Sequence, residues 1–303
     1  MTQPHSLEVV AIIVVYQPNL EVLEQLWNAL IPQVASIVLV DNNSHADLAA
    51  WYSERDTNAV ELLRLGKNHG IAAAQNIGIQ WARNRGARFV LLMDQDSIPA
   101  PDMVEKLVST AAEQASLAVL GTRYLDERQD NPPPFIRIRG LSLERCLCST
   151  EKSVVPVDYL ISSGCLIPMA VLDKVGGMRE DLFIDYVDIE WGLRARYQGF
   201  QSYGVCSAHM QHSLGDTPIK FFGKSIPLHS PLRHYYHFRN AVLLYKEPWV
   251  PLNWKLVDGW RLFLKYGFYS LFATPRIAHW QMMTLGVWHG LTGKSGEFEG
   301  NAS

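Results

Sequence analysis

Two apolar rhythms alternate through the first 125 residues. Near-continuous, largely β-branched runs occur at 9–16 ("VVAIIVVY"), 36–41 ("SIVLVD"), 59–65 ("AVELLRL"), 88–94 ("RFVLLMD") and 117–124 ("LAVLGTRY"). Such runs are characteristic of strands covered on both faces. Between them lie helical patterns: apolar residues at helical spacing over 20–33, an Ala-rich segment over 70–86 that closes on Gly86, and 101–115, which opens with Pro101 and Asp102 as a helix N-terminus does. Strands alternating with helices predict an α/β fold with a mainly parallel central sheet flanked by helices. In such sheets ligands bind beyond the carboxyl ends of the strands. Two of the runs end in aspartate there: one in Asp41, the other in Asp94, with Asp96 close behind.

The pattern changes downstream. Residues 125–156 read as an irregular insertion, and 157–212 as a second α/β stretch. After about residue 230 the chain carries five of its nine Trp, with many Tyr and Phe and scattered Lys and Arg. This suggests a domain over 1–230 and a C-terminal helical, aromatic-rich extension over 231–303. With 303 residues, 48% hydrophobic and 19% charged, the chain has ample material for a core. A net charge of −3 leaves no nucleic-acid footprint. Cys146, Cys148, Cys165 and Cys206 lack CxxC or zinc spacing, so reduced thiols in a cytoplasmic protein are expected. The N-terminal apolar run is short, β-branched and not preceded by a basic segment, which reads as a strand and not a signal peptide. No stretch reaches the roughly 20 uninterrupted apolar residues of a membrane span.

The candidate chemistry starts from Asp94 and Asp96. Carboxylates at the end of a buried strand are costly unless compensated. Either Asp96 caps the next helix and Asp94 is solvated, or the pair helps hold a divalent cation shared with a diphosphate. On an extended segment the two would point to opposite faces. Asp41 ends another strand, placed for a base or ribose or for an Asx turn. The stretch "GKNHGIAAAQNIGI" puts small residues and Asn at a turn entering a helix, where backbone N–H groups could face a diphosphate. Asp185, Asp188 and Glu190 follow in "FIDYVDIEWGLRARYQGF", and His209 and His212 in "AHMQHSLGD".

Taken together, "VVYQPN", "VLVDNNS", "KNHGIAAAQNIGI", "LLMDQDS", "ISSGCLIP", "LFIDYVDIEWGLRARYQG" and "HSLGD" resemble a family 2, GT-A-fold nucleotide-sugar glycosyltransferase. Within that group the closest resemblance is to bacterial rhamnosyltransferases that use dTDP-L-rhamnose. The resemblance spans roughly residues 8–245. It implies that Tyr16, Asp41 and Asn68 lie near the nucleotide, with a core aromatic as the alternative for Tyr16. Asp94 and Asp96 become the D-x-D pair, Asp96 the more direct ligand of a divalent cation (Mg²⁺ or Mn²⁺), joined by His212. Asp188 becomes the catalytic base, with Asp185 as rival. Gly164 belongs to the loop lining the donor sugar and acceptor. Asn76 and Gly78 suit helix packing. Glu190 is either an acceptor contact or the partner of Arg194 in an i,i+4 salt bridge.

In the tail, Arg233 and Arg239 are candidates for meeting phosphate of the donor or of a lipid-linked acceptor. Residues 246–276 hold five Lys/Arg against two Asp/Glu, interleaved with aromatics. That suits either a helix lying in a membrane interface or one packed on the domain. The resemblance implies an inverting, metal-dependent transferase moving L-rhamnose to a glycan or lipid-linked glycan in bacterial surface polysaccharide synthesis. It would work in the cytoplasm, at or near the inner face of the membrane. A UDP-sugar donor and a non-catalytic nucleotide-sugar binder are the alternatives. A processive synthase would carry membrane spans and a Q-x-x-R-W motif. A nucleotidyltransferase would carry a Gly-rich basic loop where this chain reads "YQPNLEVLEQ".

Overall fold

The computed structural model describes residues 8–300 apart from 46, 54, 56–58, 126–134, 151, 213–218, 222–223 and 227. The order begins β1 (Val9–Val15), α1 (Leu20–Leu30), β2 (Ser36–Asp41), α2 (Leu48–Ser53), β3 (Val60–Arg64), α3 (Ile71–Asn84), β4 (Phe89–Asp94), β5 (Ser97–Pro99) and α4 (Met103–Glu113). It continues with β6 (Ala118–Leu125), β7 (Phe135–Arg139), β8 (Ser142–Cys146), β9 (Val154–Val157), β10 (Cys165–Pro168), α5 (Met169–Val175), α6 (Val187–Tyr197) and β11 (Gln201–His212). A short hairpin, β12 (Ile219–Phe221) and β13 (Lys224–Ile226), leads to three long helices: α7 (Pro231–Lys246), α8 (Leu252–Phe272) and α9 (Arg276–Thr292).

The main sheet runs β3-β2-β1-β4-β10-β6-β11-β5, with β9 also on β11. It is parallel across β3, β2, β1 and β4 and mixed beyond, where β10 is antiparallel to both β4 and β6. All seven residues of β1 are buried. Strand alternation divides them between two cores. Val10, Ile12 and Val14 face the side covered by α3, α5, α6 and the C-terminal helices. Val9, Ala11, Ile13 and Val15 face the side covered by α1, α2 and α4. Helix α1 starts because the Asn19 side chain accepts from the amides of Glu21 and Val22, and it buries Leu23, Leu26, Trp27 and Leu30 at helical spacing.

The segment read as irregular contains order: 135–146 form the β7–β8 hairpin, whose "FIRIR" alternation is a half-exposed strand pattern. Two of the thiols are not reduced, since Cys148 and Cys206 form a disulfide, while Cys146 and Cys165 are free and buried. The three C-terminal helices share the core of the sheet's α3 side through residues such as Phe238, Leu244, Trp254, Leu262 and Met283. Among the described residues no helix is long and apolar enough to cross a membrane.

Candidate active site

A cleft of about 650 Å³ opens where β1, β2 and β4 end. Its strand-end side is formed by Tyr16, Asn42 and Asn68. An amide network shapes it. Asn42 Nδ2 donates to Asn68 Oδ1 at 2.9 Å, Asn42 Oδ1 accepts from the His69 amide, and Asn68 Oδ1 accepts from the Gly70 amide. The Ile71 amide donates to the Phe183 carbonyl at 2.7 Å. The amides of His69, Gly70 and Ile71 are therefore taken by acceptors within the protein. Gly70, at φ +82°, is required here, because a Cβ would lie 2.5 Å from the Phe183 carbonyl oxygen.

Asp94 and Asp96 both line the cleft. The opposite-face expectation assumed a continuous strand. Instead Gln95 and Asp96 form a turn between β4 and β5, which brings both carboxylates to one side. Asp96 caps no helix, as α4 takes Asp102 at its N-cap. Gln95 ties the turn down: its side chain accepts from the Tyr16 amide at 2.8 Å and donates to the Tyr16 carbonyl at 3.1 Å. The Asp94 amide donates to Ser163 Oγ, and Ser163 in turn donates to Ser97 Oγ at 2.7 Å. Gly164, next in that loop, lines no part of the cleft. At φ +73° it lets the loop pass Thr122, whose Oγ1 would lie 2.1 Å from a Cβ, while Ile161 and Ser162 reach the cleft. The backbone of His212, at the end of β11, is paired opposite Ser97, one residue past Asp96. Among the described residues no group of three His, Cys, Asp or Glu side chains is gathered closely enough to hold a metal ion.

Across the cleft stand Asp185 and Asp188. Asp188 sits in the first turn of α6, and its Oδ1 accepts from the Ile189 amide at 2.8 Å. Behind it Leu92, Cys165 and Trp191 enclose a void of about 10 Å³. Burial, reinforced by the charges of Asp185 and Asp94, pushes the Asp188 carboxyl up to about 6. Asp185 pairs loosely with Arg233, Oδ2 to Nε at 3.3 Å. Arg233, His229 and His237 line one end of the cleft, and Lys265 of α8 reaches His237 Nε2 at 3.0 Å. Burial and Lys265 push His237 well down.

Three sequence candidates take other roles. Asp41 is 3% exposed and does not line the cleft: Oδ1 accepts from the Ser44 amide, the Asx-turn alternative, and Oδ2 lies 3.7 Å from Arg64. Its neighbour Asn42 reaches the cleft instead. Glu190 is 2% exposed and forks onto Arg194 at 2.8 and 3.0 Å, while Arg194 also donates to the carbonyls of Val175 and Gly177. That pair fastens α6 to the turn after α5, as the salt-bridge alternative for Glu190 has it. Arg239 is fully buried and cannot meet phosphate. Its guanidinium donates to the carbonyls of Gly296, Asp181 and Leu182 and to Asn240 Oδ1. Asn76 and Gly78 pack, Asn76 holding Met178 and Gly78 lying on Ile12.

The site thus sets two carboxylates from a β-turn opposite a carboxylate on a helix, in a cleft at the strand ends of an α/β fold. Residues 10–166 match the family model described as Glycosyl transferase family 2, and the chain belongs to that family. It is a glycosyltransferase. It is 37% identical over 243 residues to "dTDP-rhamnosyl transferase RfbF" of Shigella flexneri, covering 80% of this chain and 81% of that protein. It is 26% identical over 247 residues to "Low-salt glycan biosynthesis hexosyltransferase Agl10" of Haloferax volcanii, covering 80% and 76%. Among solved structures, GalNAc-T7 with UDP, GalNAc and Mn²⁺ superposes with TM-score 0.63 at 13% identity. That match covers 96% of this chain, which spans 57% of the GalNAc-T7 chain. Staphylococcus aureus TarS 1-349 in complex with UDP-GlcNAc superposes with TM-score 0.55 at 14% identity, covering 95% and 92%. At these identities the structural matches speak for the GT-A-like fold alone.

Proposed function

We propose that this enzyme transfers L-rhamnose from dTDP-L-rhamnose, with inversion, to a hydroxyl of a glycan or lipid-linked glycan during bacterial surface polysaccharide synthesis. The observation that carries this is the half-buried Asp188 facing Asp94 and Asp96 across one cleft, in a chain 37% identical to a dTDP-rhamnosyl transferase. Asp188 takes the proton from the acceptor hydroxyl as that oxygen attacks the anomeric carbon. The bond from that carbon to the nucleoside diphosphate breaks on the opposite side. Tyr16, Asn42 and Asn68 hold the nucleotide. Asp94, Asp96 and His212 are the residues that would hold a divalent cation, Mg²⁺ or Mn²⁺. Hard carboxylate oxygens on one turn suit such an ion, and the backbone pairing of His212 with Ser97, next to Asp96, supports including it. When bound, the cation would neutralise charge on the departing diphosphate.

Turnover of a panel of nucleotide sugars, with and without excess EDTA, tests this reading. The expected result is metal-dependent turnover of dTDP-L-rhamnose above all others. Preference for a UDP-sugar would move the donor assignment, and full activity in EDTA would remove the cation.

We also propose a peripheral membrane contact through residues 246–276. On α8 the side chains of Leu256, Trp260, Phe263, Leu264 and Leu271 are exposed at helical spacing, opposite buried Trp254, Leu262 and Tyr269. Trp260 is 61% exposed and stacked on Phe263. Exposed Arg261 and Arg276 add positive charge. That pattern supports docking on an anionic lipid surface at the inner face of the cytoplasmic membrane. Co-sedimentation with vesicles of phosphatidylglycerol and phosphatidylcholine should rise with the anionic fraction and fall with salt. Absence of binding at low salt overturns the contact.

A further inference from the structure

Among the described residues, five non-glycine residues have positive φ, and three of them fall between 183 and 186: Phe183 (+67°), Asp185 (+63°) and Tyr186 (+64°). Phe183, with ψ −64°, is the centre of a three-residue turn closed by the Ile184 amide on the Leu182 carbonyl at 2.8 Å. Tyr186 is the N-cap of α6 and accepts the first helical bond from the Glu190 amide. This backbone is costly for residues with side chains. It also decides where Asp185 points and where α6 begins, and so where Asp188 stands.

Two side chains of α7 hold it. Asn240 Nδ2 donates to the carbonyls of Leu182, Ile184 and Asp185 at 2.9, 2.8 and 2.9 Å. Arg239 Nη2 donates to Leu182 and Asp181, and its Nε donates to Asn240 Oδ1 at 2.9 Å, orienting the amide. Both residues are fully buried. The guanidinium lies over the rings of Tyr235 and Tyr236, and Phe183 stacks on Tyr236 at 5.1 Å. A solvated loop of this shape would relax. Here its carbonyls have no better partner than the buried amide and guanidinium.

We infer that Arg239 and Asn240 are positioning residues: together they hold Phe183, Asp185 and Tyr186 in their positive-φ conformations so that Asp185 and Asp188 face the cleft. The inference rests on the glycosyltransferase reading for its effect on turnover, and on the hydrogen bonds alone for its effect on the loop. Both effects are measured. The variants are Asn240→Ala and Arg239→Lys. Leu244→Ala is the control, a fully buried residue of the same helix whose apolar side chain holds no loop carbonyl.

The expected result is a fall in kcat of about 10²-fold for Asn240→Ala, and a smaller fall for Arg239→Lys, because misplacing a reacting group by about 1 Å costs that much. Donor KM and dTDP affinity should stay within about twofold in both. Leu244→Ala should lower the thermal midpoint and leave kcat within about twofold. Amide exchange in 181–188 should quicken selectively in the two loop variants, with 9–15 and 89–94 unchanged. Wild-type kcat in both loop variants overturns the inference. So does equal loss of kcat in the control at a matched midpoint, or a uniform rise in exchange. If Asn240→Ala does not fold, Arg239→Lys carries the same comparison. If the wild-type chain transfers no sugar, the glycosyltransferase reading fails by itself, and the exchange measurement still decides whether the loop is held.

Discussion

The two walls of the cleft are built in opposite ways. On the strand-end side, proposed to hold the nucleotide, Tyr16, Asn42 and Asp94 leave the ends of β1, β2 and β4, and the parallel ladder fixes their relative positions. Their supports are residues of the same sheet end, in the Asn42–Asn68 network and at the β4–β5 turn held by Ser163 and Gln95. On the opposite side, Asp185 and Asp188 hang on an irregular left-handed loop whose order comes from α7, more than 50 residues away in sequence. A regular scaffold places one wall with little strain. The other needs buried polar side chains to hold three unfavourable backbone conformations, each costing roughly 1–3 kcal/mol. The side expected to do the chemistry is the strained one.

Asp188→Asn breaks that comparison most severely. It keeps shape and hydrogen-bonding capacity but removes the base, so kcat should fall roughly 10²–10⁴-fold with donor affinity barely changed. Because burial holds the Asp188 carboxyl up at about 6, wild-type activity should rise with pH through a limb near that value as the base ionises. The limb should vanish in the variant. Stability runs the other way: the folded carboxyl holds its proton more tightly than an unfolded one, so the Asp188 contribution to stability is present at low pH and lost as pH rises towards 6. Asp185→Asn is the control. If it is the crippled variant and Asp188→Asn turns over normally, the base has been assigned to the wrong carboxylate of the loop.

The same asymmetry explains what could be read from the chain. Strand positions and the first cleft wall follow from local signals, because β-branched runs, a terminal Asp and the following turn residues all lie within a few positions of one another. Asp188 is legible in the sequence through the resemblance of its motif. Its support is not: nothing near 181–186 marks Arg239 and Asn240 as partners, and a buried Arg in "HFRNAV" looks like one that meets phosphate. Asp41 and Asn42 exchanged places because one residue along a strand end reverses the side chain's face. The β7–β8 hairpin was hidden by its polar setting, although "IRIR" carries a strand period.

Glu190→Gln tests whether the second wall's remaining carboxylate is structural. Removing one partner of a fully buried pair costs roughly 3–5 kcal/mol, and about 2–3 kcal/mol is expected here because Arg194 keeps some contact with water. The denaturant midpoint should drop accordingly while acceptor KM stays unchanged. An acceptor KM raised at unchanged stability would return Glu190 to the acceptor site.

The smallest effect concerns the nucleotide wall, and it bears on how local that wall's order is. Gln95 is one of its long-range ties, beside Ser163, and bonds the Tyr16 backbone across 79 residues. Tyr16 is 47% exposed, so water can replace both bonds when Gln95→Ala removes them. Neutral bonds of this kind are worth about 1 kcal/mol net, less where water competes. Donor KM should therefore rise by no more than about fivefold, with kcat and the pH limb unchanged. A loss in kcat approaching that of Asn240→Ala would mean that the D-x-D turn, like the Asp185–Asp188 loop, depends on a distant side chain for its shape. The contrast between a self-supporting wall and a held one would then be wrong.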